Sequence, residues 1–228
     1  MLGLPRLLDQ LEAHYGPQHA ACPTDPYLFL IWWHCGYPAS DAACTKGWDS
    51  LQRTIGVEPE KILDAPLRVL TAALKPGGMV PDVRALRLKE IADRVQQEFS
   101  GDLASALHNP KRKRGEARAA LKTFPGIADP GADRILLFGN LSPVAAIPSN
   151  MPQVLVRMLR GKESDNYGRN YSESQKLLAA EIPEDFAARQ RAYLLLKEHG
   201  QQLCKRTNPK CSSCPLELSC AFTSRATS

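Results

Sequence analysis

The chain has 228 residues, 43% of them hydrophobic, enough for one large domain or two small ones around a buried core. Its net charge of +5 suits a polyanionic partner without identifying one. No apolar run approaches a membrane span, residues 27–33 being the longest. The seven cysteines, an odd number, do not read as the disulfide framework of a secreted protein.

Helical patterns dominate, punctuated by proline and glycine, so the expected fold class is all-α. Residues 4–15 read as an amphipathic helix without the three regions of a signal peptide, and a cytoplasmic protein is expected. Asp25-Pro26 looks like a cap followed by proline at the first helical position of a helix over 27–35. Further helices are expected from Ser40 or Asp41 to Thr54, over 58–64 and over 66–74. Pro76-Gly77-Gly78 breaks the pattern, and Pro81-Asp82 opens a long helix over 83–99. Lys111, Arg112, Lys113 and Arg114 form a basic run that reads as a solvated loop or a phosphate-facing one. Helices are expected over 116–123 and 131–138, flanking a tight turn at 124–127. A polar stretch follows at 161–170, then helices over about 172–180 and 183–199. Cys22, Cys35 and Cys44 read as buried or half-buried thiols.

Four cysteines close the chain at Cys204, Cys211, Cys214 and Cys220, spaced C-x6-C-x2-C-x5-C. Residues 203–221 carry only scattered apolar side chains, so this loop lacks a core of its own and a metal would supply its folding energy. The spacing leaves both a zinc site and an iron–sulfur cluster open.

The second signal is the run 121–138, a helix, a sharp turn and another helix. Gly126 permits the backbone conformation of a tight turn, and free N–H groups there can bind an anion such as a DNA phosphate. Alone, a Pro-Gly turn between helices is an ordinary hairpin. Hairpin and cysteine loop in this order resemble the endonuclease III and adenine-glycosylase branch of the helix-hairpin-helix DNA glycosylase superfamily. The likeness rests on Phe124-Pro125-Gly126-Ile127-Ala128 and on the run 199–216, and extends from about Leu4 onward.

That resemblance implies two helical lobes with a DNA cleft between them: a helical barrel over 26–138 with the hairpin, and a discontinuous domain of 1–25 plus 139–228. It implies a [4Fe-4S] cluster on Cys204, Cys211, Cys214 and Cys220. It implies double-stranded DNA, damaged or distorted, as partner of a monomer. Phe124, Pro125, Gly126, Ile127 and Ala128 would grip DNA, and Lys205, Arg206 and Lys210 would face phosphate.

The same resemblance implies a lysine nucleophile after the hairpin and a downstream aspartate that balances charge on the sugar. Ungapped alignment places Pro130 and Pro148 at these positions, and Pro38 where the family has a base-wedging glutamine. Tyr37 beside it is able to stack on a base. Of possible substitutes, Asp133 reads as an acid serving its own helix dipole, with catalysis the minority reading. Asp129, Lys122, Ser149 and Asn150 are the other groups near these positions. The leading expectation is a DNA-binding relative without lysine-dependent lyase activity; the alternative is a monofunctional glycosylase with displaced catalytic groups.

Overall fold

A computed structural model describes residues 2–108 and 115–226; the basic run Lys111–Arg114 lies outside the described residues. All regular structure among the described residues is helical. The chain divides into two compact units, one made of Met1–Ala20 and Ser142–Ser228, the other of Ala21–Leu141. These dividing points differ from 25/26 and 138/139 because the flanking residues serve the helix ends. Asp25 caps the first helix of the second unit, accepting from the Leu28 N–H at 2.8 Å, and Leu141 N–H donates back to the Leu136 carbonyl at 3.0 Å.

The Ala21–Leu141 unit is built on a helix that is apolar all round, Pro26–His34, here α2. Its sequence PYLFLIWWH leaves no polar face, so it must be enclosed on every side. Around it lie α3 (Asp41–Thr54), α4 (Pro59–Asp64), α5 (Leu67–Leu74), α6 (Pro81–Phe99), α7 (Leu103–Leu107), α8 (Glu116–Leu121) and α9 (Asp129–Phe138). Arg134 of α9 is buried among Phe29, Trp32, Trp33 and Phe138. Its charge is compensated by a two-pronged pair with Asp41 at 2.7 and 3.1 Å.

The other unit opens with α1 (Leu4–Tyr15), whose Leu4, Leu7, Leu8 and Leu11 form one buried face. It continues with α10 (Gln153–Arg160), α11 (Tyr167–Glu181), α12 (Phe186–Gln202) and the short α13 (Ala221–Ala226). The core of this unit joins α1 to Val154, Leu155, Met158, Leu178, Leu195, Leu196 and Leu216. Leu216 ties the cysteine loop into that core.

Several boundaries depart from the sequence expectation. Helix α9 begins at Asp129, two residues early, because Pro130 is tolerated in a first turn, where its missing N–H costs nothing. Helix α8 stops at Leu121 because Lys122 and Thr123 enter the turn. Helix α11 starts at Tyr167 because Asn166 caps it, accepting from Arg169 N–H at 2.9 Å. Helices α7, α10 and α13 were not expected. In α10 the polar residues Gln153, Arg157 and Arg160 recur at helical spacing, a period that the sequence carries over only eight residues.

Candidate nucleic-acid interface and cysteine loop

The hairpin joins α8 to α9. Gly126 sits at φ 68°, the left-handed region that favours glycine, and is exposed. A Cβ there would lie 3.3 Å from His34 Nε2 and 3.4 Å from an Arg87 nitrogen. The turn closes with Ile127 N–H donating to the Phe124 carbonyl at 3.3 Å, while Gly126 and Ala128 N–H groups donate to no described backbone carbonyl. Both residues face solvent, so these donors are available to an anion.

The side chains of the hairpin mostly point inward. Phe124 is buried, stacked on Phe99 with the Arg94 guanidinium 4.7 Å above its ring, and Ile127 is buried too. Of the five residues expected to grip DNA, Phe124 and Ile127 therefore offer backbone at most. Pro125, Gly126 and Ala128 form the accessible rim.

The turn is braced from below. His34 Nε2 lies 2.8 Å from the Pro125 carbonyl and Nδ1 lies 2.9 Å from the Leu30 carbonyl. Burial holds its pKa down at about 4, against the pull of those two carbonyls, and the Arg87 and Arg84 charges push the same way as burial. The ring is neutral at physiological pH and donates to one carbonyl at a time. Arg94 holds the other side, donating to the Thr123 carbonyl at 2.5 Å and to its hydroxyl at 2.8 Å.

Carboxylates near the turn are all matched by cations. Asp129 pairs with Lys122 at 2.5 Å and lies 3.5 Å from Arg118; these cations hold its carboxyl below the usual range. Asp133 is buried and accepts two bonds from Arg118, at 2.6 and 2.9 Å. This pairing, rather than a helix dipole alone, accounts for Asp133, and it leaves no carboxylate oxygen poised as a base. Pro130 lies half-buried in the first turn of α9.

Three features of this unit escaped the sequence reading. The first is Arg87, whose guanidinium stands against Gly126. The second is His34, hidden inside an apolar run. The third is the tip after Pro76-Gly77-Gly78, read only as a break. There Met79 is 80% exposed and Val80 takes a left-handed φ of 48°, a conformation that strains a β-branched residue. Buried Arg84 holds this tip, donating to the carbonyls of Leu74, Gly78 and Met79 at 3.1, 2.7 and 3.0 Å and also to that of Cys35. Tyr37, weighed as a stacking residue, spends one face on Trp33, with ring centroids 4.4 Å apart.

In the other unit, Cys204, Cys211, Cys214 and Cys220 line one cavity of about 330 Å³, counting its open mouth. Arg157, His199, Lys210 and Phe222 are among the other residues of its wall. Arg157 is the peg of the loop: it is buried, donates to the Lys205 and Arg206 carbonyls at 2.8 and 3.0 Å, and is balanced by Glu163. Burial pushes the Cys204 thiol up to about 11, although Arg157 pulls the other way. Cys211 and Cys214 are raised by burial as well. His199 is buried behind Cys214, its Nδ1 3.0 Å from the Tyr15 hydroxyl and its Nε2 3.9 Å from the Cys214 sulfur. Among the described residues, no group of three or more His, Cys, Asp or Glu side chains is drawn together as ligands of a single ion. Lys205, Arg206 and Lys210 are exposed on the same loop. Pro148 is buried, whereas Ser149 and Asn150 line a second, polar cavity in this unit.

No family profile matches the chain. It is 26% identical over 158 residues to a thymine/uracil-DNA glycosylase of Pyrobaculum aerophilum, covering 69% of this chain and 64% of that protein. It is 24% identical over 199 residues to endonuclease III of Thermotoga maritima, covering 87% and 84% respectively. The match thus spans less than two thirds of the Pyrobaculum protein's length. The fold aligns over 100% of both chains, with a TM-score of 0.74 and 19% identity, to endonuclease III trapped as a covalent intermediate with DNA. The chain has an endonuclease III-like fold. In this endonuclease III-like chain the hairpin and the cysteine loop lie in different compact units, the first braced by His34 and Arg94 and the second by Arg157 and His199.

Proposed function

We propose that this endonuclease III-like chain is an iron–sulfur DNA-binding protein that acts on damaged or distorted duplex DNA without a lysine-dependent lyase step. The hairpin carries the reading. Its rim offers the unbonded N–H groups of Gly126 and Ala128, and every nearby carboxylate is already matched by a cation. An approaching phosphate therefore meets donors and positive charge, with no uncompensated anion in its way. Arg87 beside Gly126 adds a cation at the same place. The Met79 tip offers an exposed apolar side chain of the kind that enters between base steps, a task Pro38 is unable to perform as the family glutamine would.

The donor set of the second unit fits a polynuclear cluster. Four free thiols line one cavity, and four thiolates are the donor set that a [4Fe-4S] cluster takes. Cys204, Cys211, Cys214 and Cys220 would hold it, and the bound cluster would close the loop that presents Lys205, Arg206 and Lys210. Binding requires the thiolate forms, so protons leave as the cluster is loaded.

Pro130 and Pro148 stand where the family lysine and aspartate are expected, and neither carries an amine or a carboxylate. The alternative is base excision with other groups. The match to a protein named thymine/uracil-DNA glycosylase favours it. The pairing of Asp133 with Arg118 speaks against Asp133 as its acid or base.

The test is a panel of intact, mismatched, damaged-base and abasic duplexes, scored separately for binding and for cleavage at several salt concentrations. Affinity should fall steeply with salt, and borohydride should trap no covalent complex on abasic DNA. Salt-independent binding, or a trapped adduct, refutes the reading in its respective part.

A further inference from the structure

A line of polar groups joins the cysteine loop to the N-terminal helix. Tyr15 closes α1, His199 stands in the last turn of α12, and Cys214 lies in the loop; all three belong to one compact unit. The Tyr15 hydroxyl is 3.0 Å from His199 Nδ1, and His199 Nε2 is 3.9 Å from the Cys214 sulfur. The imidazole is only 2% exposed, so water is a poor substitute for either neighbour. The Cys214 sulfur also accepts from the Leu216 N–H at 3.4 Å.

The chemistry of a metal ligand gives this line a direction. A neutral imidazole carries one N–H and one bare nitrogen. Beside a thiol, either ring nitrogen can hold the proton. Beside a thiolate, the form that binds a metal, Nε2 is the donor, because a lone pair there would oppose the charge. Nδ1 is then bare, and the Tyr15 hydroxyl is the group that donates to it. Burial raises the Tyr15 hydroxyl well above its ordinary range, so it keeps its proton and remains a donor. The hydroxyl thus fixes both the tautomer and the ring orientation that aim Nε2–H at the sulfur.

We propose, resting on the iron–sulfur reading above, that Tyr15 is a positioning residue for the metal centre: through His199 it supplies Cys214 with a hydrogen bond that stabilises the ligand thiolate. Removing the hydroxyl leaves Nδ1 without its donor in a buried place, and the ring no longer has one preferred tautomer. The thiolate then loses part or all of a charge-assisted bond, of a kind worth about tenfold to a hundredfold in an equilibrium.

The experiment uses the full chain purified with its metal, as wild type, Y15F, H199Q, H199L and Y15F/H199L. Circular dichroism melting establishes which of them are folded. Loss of visible absorbance in the presence of a chelator gives the rate of cluster release. Resonance Raman spectra give the iron–sulfur stretching bands, which rise when a thiolate loses a donor. Raised bands in Y15F, with release about three- to tenfold faster, support the relay. Release should be faster again in H199L, and nearer the wild type in H199Q, whose amide restores a donor. Y15F/H199L should release no faster than H199L, since the hydroxyl acts through the ring. If the H199L variants do not fold, the Raman bands and release rate of Y15F carry the test.

Wild-type bands in a folded Y15F overturn the relay, whatever the release rate. Rate increases in Y15F and H199L that multiply in the double variant also overturn it, because Tyr15 then acts by packing alone. A chain that carries zinc and no iron overturns the iron–sulfur reading, and zinc release by the same variants then decides the relay. A chain that holds neither metal overturns both.

Discussion

Gly126→Ala separates the backbone role of the hairpin from its side chains. At φ 68° an alanine pays about 1–2 kcal/mol for the left-handed conformation. The stiffer unfolded chain returns about 0.4–1 kcal/mol of that. The new methyl would also lie 3.3 Å from His34 Nε2, and that ring has little room to yield because both nitrogens face carbonyls. Arg87, the other neighbour at 3.4 Å, has a flexible side chain able to move. The net destabilisation expected in urea unfolding is about 1–2 kcal/mol. DNA affinity should fall further than stability alone explains, because relaxing the strain rotates the Gly126 N–H away from its outward direction. Losing one hydrogen bond to a charged phosphate oxygen is worth about 1.5 kcal/mol, or about tenfold in Kd. Fluorescence anisotropy with an abasic duplex, at a temperature where both proteins are folded, reads that factor. Wild-type affinity in a measurably destabilised G126A would refute the phosphate contact while leaving the strain argument intact. An unchanged unfolding midpoint would refute the strain argument itself.

Met79→Ser should change stability by no more than about 0.5 kcal/mol, since the side chain is 80% exposed, yet weaken binding to distorted duplexes more than to intact ones, as measured by competition anisotropy. Cys214→Ser should reduce iron content and visible absorbance and lower the melting temperature, with elemental analysis of freshly purified protein as the check. Asp133→Ala should cost about 2 kcal/mol in denaturant unfolding, less than for a fully enclosed pair because Arg118 is one-third exposed and keeps Asp129 nearby. His34 is depressed to about 4 from an ordinary value near 6.5, so the unfolded state binds its proton first. Stability should therefore fall as pH drops from about 6.5 towards 4, by on the order of 3 kcal/mol from this residue, and level off below. The pH slope of His34→Gln, compared with the wild type in urea melts, isolates that contribution; an equal slope in both would exclude it.

The sequence by itself determined the helical class, the hairpin and the cysteine loop. Each is written in local code: periodic apolar positions, proline at helix starts, a glycine that permits positive φ, and thiols at a fixed spacing. Asp25 was legible as a cap because caps are local, whereas the Asn166 cap inside a polar stretch was not, and α11 starts at Tyr167 rather than at about 172. The tertiary structure decided everything that depends on what lies opposite a residue. It turned Phe124 and Ile127 inward, gave Asp133 to Arg118, and set Arg87 and His34 against the turn. It buried Gln153 and Arg157 in α10, polar positions that the helical period of that segment would leave in water. Partners, burial and charge compensation arise between residues distant in the chain, and no short stretch of sequence encodes them.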